Sequence, residues 1–111
     1  MAGEHSGHRQ RMRERFLRHG LDGFADHEVL ELMLFYAIPQ RNVNPLAHAL
    51  IDRFGSLHGV LEASVEELSK VDGMGAYASA FLSLFSQVAR RVEWSRAGER
   101  ELISNRGMAE R

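Results

Sequence analysis

The chain has 111 residues, 44% of them hydrophobic, and a net charge of −1, enough for one domain with one core and too little basic excess to announce a polyanion partner by itself. Cysteine is absent, which excludes a disulfide framework, a thiolate zinc site and a cysteine nucleophile. No apolar run approaches the roughly 18 residues of a membrane span, the densest, residues 29–38, being broken by Glu31; the arginine-rich start also lacks the apolar block of a secretory signal, so a cytoplasmic protein is expected.

Residues 1–7 are expected to be disordered. Residues 8–19 predict a helix with Met12, Phe16 and His19 along one side and arginines around the rest, stopped by Gly20 and Gly23. Residues 1–20 hold five arginines against two glutamates, whereas residues 21–75 hold three basic against nine acidic side chains, and residues 76–111 six arginines against four glutamates. The basic start therefore has two readings: a nucleic-acid surface, with Arg9 and Arg11 as its candidates, whose binding would weaken steeply with salt, or a face that docks on the acidic middle of its own domain.

Asp26 predicts the N-cap of a second helix, His27 to about Ala37, because a short acceptor there satisfies free backbone N–H groups. Its run of Val29, Leu30, Leu32, Met33, Leu34, Phe35 and Tyr36 predicts burial nearly all round, with Glu28 and Glu31 exposed or paired with arginine. Residues 38–43 connect to a third helix, Pro45–Phe54, capped by Asn44 and ended by Gly55. Ser56 caps a short helix over 57–62, and Ser64 with Glu67 fits a reciprocal capping box opening another through Leu68. A last long helix runs from Ala76 to about Trp94, after which the apolar pattern lapses and residues 95–111 read as a linker into the start of a further domain. No alternating strand pattern of useful length occurs, so the expected fold is an all-α compact domain.

The segment from Glu67 to Leu82 carries the functional argument. Leu68 and Val71 seal one helix, Met74 plugs the turn, Gly73 and Gly75 allow conformations and approaches that a Cβ obstructs, and Ala78, Ser79 and Ala80 permit a tight helix crossing. This is the pattern of a helix-hairpin-helix element, whose turn presents backbone N–H groups at the start of a helix, where an anion is favoured. The alternatives are contact with DNA phosphate, indifferent to base sequence, and a hairpin that only packs helices or meets a protein partner. Lys70 is placed to reach a phosphate and Asp72 to repel one, while Tyr77 either stacks at the rim or packs half-buried. The two preceding helices, joined through Arg41, read as a second, irregular hairpin without glycines. The candidate nucleic-acid-binding residues are thus Lys70, Gly73, Met74, Gly75, Tyr77, Arg9, Arg11 and Arg41.

No catalytic constellation, cofactor loop or metal site emerges. His27-Glu28-Val29-Leu30-Glu31 begins like the zinc helix HExxH, but Glu31 stands at the second ligand position; His5 and His8 fall in an end expected to be mobile, and His19, His48 and His58 have no ligand-spaced companions.

The segments HRQRMRERF at 8–16, DHEVLEL at 26–32, NPLAH at 44–48 and FGSL at 54–57, with the hairpin at 71–75 and the pair Arg90-Arg91, together resemble the amino-terminal domain of the bacterial RadC family (UPF0758) over about residues 7–95. The resemblance implies a helix-hairpin-helix domain of proteins usually described as acting in DNA repair, which typically continue into a JAB/MPN domain with zinc held by an HxH and an aspartate. No HxH occurs here, so the resemblance implies a piece of a longer protein and no metallopeptidase. Ser79 stands where such hairpins often have alanine, and Asp72 where proline is common. The leading expectation is a non-catalytic DNA-binding or DNA-targeting accessory domain; the rival is a protein-interaction or scaffolding domain that positions the missing domain.

Overall fold

The computed structural model describes the backbone of residues 2–109 and the side chains of residues 7–103. Among these residues six helices follow one another: α1 (Ala2–His19), α2 (Asp26–Ala37), α3 (Asn44–Phe54), α4 (Leu57–Glu62), α5 (Val65–Ser69) and α6 (Ala76–Ala109). The fold is all-α, with no strand among the described residues.

The most apolar helix, α2, is the one that the others surround. Leu30 and Leu34 are fully buried and pack with Leu46 and Leu50 of α3, Val60 of α4, Leu68 of α5, Leu82 of α6 and Met12 of α1 in one continuous core. Burial is not complete round α2, because Tyr36 points to solvent. On α1 Arg9 and Met12 are buried; Phe16 is partly exposed and His19 exposed.

Several caps form as the local sequence predicts. Gly55 ends α3 in the left-handed region (φ +91°), Ser56 Oγ accepts from Gly59 N–H at 3.0 Å, and Ser64 and Glu67 exchange side-chain and backbone bonds at the start of α5. Two predicted caps instead serve another helix. Asp26 is the first residue of α2, and its carboxylate accepts from Leu57 N–H at 3.0 Å, capping α4; Glu28 returns to Ala25 N–H at 2.9 Å and closes α2 itself. Asn44 likewise turns away from α3, donating to Glu31 at 3.2 Å, while Asn42 Oδ1 accepts from Asn44 N–H.

Glu31, expected at the surface or beside an arginine, is only 2% exposed, and its second oxygen accepts from His8 Nε2 at 2.9 Å. Its burial is tolerated because both oxygens find donors. Glu28 does meet an arginine: Arg15 Nη1 lies 3.0 Å from its carboxylate, Nη2 donates to Gly23 O, and the guanidinium rests on the Phe24 ring. The Arg15 hydrogen bond, followed by that from Ala25, holds the Glu28 carboxyl below its ordinary value. A depressed carboxyl stabilises the fold above the ordinary glutamate value of about 4.3 and loses that contribution as pH falls through the folded value. Glu28→Gln is therefore expected to lower the urea midpoint at pH 7, by a gap that narrows as pH falls below the ordinary glutamate value; a gap that stays constant in acid would assign the effect to packing and not to charge.

The other difference lies at the end of α6. It continues as one helix to Ala109, where the lapse of apolar periodicity after Trp94 suggests a linker. That lapse records the loss of a buried face and not the loss of helical conformation: residues 95–109 contain no proline, nine of the fifteen are Arg, Glu, Ala, Leu or Met, all good helix formers, and Glu93 pairs with Arg96 one turn on at 3.0 Å. α1 likewise begins at Ala2, ahead of the predicted start at residue 8. At 34 residues α6 is about 51 Å long and gives the molecule its 66 Å dimension.

Candidate nucleic-acid interface

The α5–α6 turn is built from the residues that the pattern singles out. Leu68 is fully buried, Lys70 N–H and Val71 N–H close the last turn of α5, and Met74 folds inward with its N–H bonded to Val71 O at 3.0 Å. Behind the turn Ala78 and Ser79 are buried where α6 crosses α5, with Ser69 Oγ and Ser79 Oγ 3.0 Å apart; Ala80 is exposed.

The two glycines have different roles. Gly73 has φ +97°, which demands glycine by conformation, and a Cβ there would also press on the flexible end of the Arg41 guanidinium at 3.0 Å. Gly75 needs neither: its φ lies outside the left-handed region, and a Cβ on it would meet nothing within 4 Å. It precedes the first residue of α6, and its carbonyl accepts from Ser79 N–H at 3.0 Å. The first N–H groups of a helix have no partner within it, and a glycine here offers no side chain to take them.

Arg41 joins the two hairpins. From the α2–α3 connector its Nη1 donates to Gly73 O at 3.3 Å, and the residue stays exposed. Lys70 is exposed on the same turn, Asp72 also faces solvent, and Tyr77, 90% exposed, stands at the rim and takes no part in packing.

Arg9 lies inside. Its guanidinium donates to Phe35 O at 3.0 Å, to Ile38 O at 2.8 Å and to Arg41 O, and sits over the Phe35 ring; burial, then the nearby Arg13 charge, lower its pKa. Arg9 thus fastens the C-terminal end of α2 and the connector that carries Arg41. Arg11 remains exposed on α1. The basic start is accordingly divided: Arg9 and Arg15 are engaged within the domain, and Arg11 and Arg18 face solvent. The spacing of Arg9, Met12 and Phe16 on one side of α1 is the signal that places Arg9 inward. The Arg41–Gly73 contact has no counterpart in local sequence.

A family model described as UPF0758 N-terminal matches residues 4–80, from α1 through the first turn of α6. The chain belongs to the UPF0758 family. UPF0758 protein FN0909 of Fusobacterium nucleatum subsp. nucleatum is 39% identical over 100 residues, covering 90% of this chain and 43% of that protein. UPF0758 protein SPO0054 of Ruegeria pomeroyi is 42% identical over 98 residues, covering 88% and 44%. The chain therefore spans less than half the length of these curated relatives. No solved structure matches it.

The part of the UPF0758 domain matched by the family model includes the whole α5–α6 turn, Arg41 and Arg9; the projecting length of α6 lies beyond it. Among the described residues no helix is long and apolar enough to cross a membrane, and no three potential metal ligands cluster. His27 and His48 come together as a stacked pair, ring centroids 4.2 Å apart, joining α2 to α3.

Proposed function

We propose that this UPF0758 domain is a non-catalytic DNA-binding or DNA-targeting module, a helix-hairpin-helix element that holds backbone phosphate without reading base sequence. The observation that carries this reading is the open N-terminus of α6: Gly75 has free space before it, and the first N–H groups of a long helix favour an anion there. Arg41 and Lys70 supply two cations on the adjoining connector and turn, against the single carboxylate of Asp72. Exposed Tyr77, one position into α6, offers a ring for stacking or a hydroxyl for a phosphate oxygen. Arg9 acts as a positioning residue through the connector, and Arg11 adds an exposed cation on α1. The likeness to RadC proteins, described as acting in DNA repair, agrees with this role.

Gly75→Asp separates binding from folding. An aspartate at that position meets no obstacle and is a better N-cap than glycine, so the variant is expected to melt at or slightly above the parent temperature. Its own carboxylate occupies the N–H groups and repels phosphate. Fluorescence anisotropy with labelled duplex, single-stranded and forked DNA is expected to show affinity that falls with salt, at least about tenfold weaker in Gly75→Asp and weakened in Lys70→Glu. No binding at low salt, or unchanged affinity in the folded Gly75→Asp protein, would overturn the reading and leave a scaffolding role.

A further inference from the structure

We propose that the projecting part of α6 pairs with the same helix of a second copy of this chain, antiparallel and centred near Ser95. The buried side of α6 is made by Ala78, Ser79, Leu82 and Ser86, spaced three and four apart. Away from that side run Leu84, Phe85, Val88, Val92, Leu102 and Ile103, each between 43% and 67% exposed. Leu84, Val88 and Val92 step by four, Ser95 and Glu99 continue the three-and-four step, and Leu102 and Ile103 resume the same side, so one face runs for nearly 20 residues with its apolar groups toward the two ends. A single helix standing off its domain is marginal in water without such cover.

The charges on this face select the occupant and its direction. Arg91 and Glu99 lie four residues to either side of Ser95 along the stripe. In an antiparallel pair with its two-fold axis at Ser95, Arg91 of each copy faces Glu99 of the other, giving two ion pairs, and Val88 faces Leu102. A parallel pair would set Arg91 against Arg91 and Glu99 against Glu99, and like charges across a helix seam disfavour it. The small Ser95 at the crossing lets the two helices approach. The two charges, with Val88 against Leu102, are therefore complementary in one orientation, which a second copy supplies.

Sedimentation equilibrium of the full chain from about 1 to about 300 µM tests this. The expected result is a monomer–dimer equilibrium, weakened at least about tenfold by Arg91→Glu or Glu99→Arg alone and restored in the doubly exchanged protein. Val88→Glu is expected to abolish the dimer. These positions are all exposed, so circular dichroism should show every variant folded. A chain that stays monomeric throughout, a dimer indifferent to Arg91→Glu, or a double exchange that fails to restore association would each overturn the proposal.

Discussion

Replacing Arg9 by methionine is expected to cost the domain about 3 to 5 kcal/mol, read as a fall in the urea midpoint with an unchanged slope. Methionine keeps much of the apolar stem that lies against Phe35, so the loss isolates the guanidinium. Three carbonyl oxygens, those of Phe35, Ile38 and Arg41, lose their donor at once, and each buried acceptor left bare costs about 1 to 3 kcal/mol, less where water reaches it. Such a loss is a large part of the 5 to 15 kcal/mol typical of a whole domain. Arg9→Lys should recover only a fraction, because an ammonium is a point charge and cannot reach three acceptors with a planar fork. A cost below about 1 kcal/mol would mean that water replaces the guanidinium readily and that Arg9 does not fasten the connector.

The second large effect is expected at Gly59. On helix propensity alone Gly59→Ala, inside α4, should stabilise by about 1 kcal/mol. The structure reverses the sign: the added Cβ would lie 2.1 Å from Phe54 O and 3.0 Å from the Phe54 carbonyl carbon. Both are backbone atoms, so no rotamer relieves the clash, and α4 must move away from the end of α3 at a cost of about 3 kcal/mol or more. The net effect is a melting temperature lower by roughly 10 °C or more. Gly98→Ala, which meets nothing within 4 Å, is the control and should leave the main transition in place. A Gly59→Ala protein that melts with the parent would show that the α3–α4 corner yields freely.

What the sequence makes legible here is whatever depends on neighbours along the chain. The helical elements, the Gly55 stop, the Ser56 cap and the Ser64–Glu67 box follow from residues within a turn of one another. Asp26 and Asn44 show where that logic ends: a short polar side chain ahead of a helix is an equally good acceptor or donor for any group brought near it. Tertiary packing delivers Leu57 N–H to the first and Glu31 to the second. Glu31 reads as a surface charge because its donors, His8 and Asn44, come from helices on either side of it. Gly59, inside the short α4, is explained only by the approach of Phe54 O. At the candidate site the glycine turn, Lys70 and Tyr77 are visible as a pattern, whereas the Arg41–Gly73 bond spans 32 positions and belongs to the fold alone.

The projecting helix also separates size from mass. A chain of this length packed as a sphere-like domain has a radius of gyration of about 13 Å, whereas this one measures 17.8 Å. Drag follows the longest dimension, so a lone molecule should leave a gel-filtration column early, among globular standards well above 12.6 kDa. End-over-end tumbling should be slower than spinning about the α6 axis, giving direction-dependent relaxation of backbone amides. Elution volume therefore overstates the mass of the monomer, and a scattering radius near 17.8 Å at low concentration is its signature.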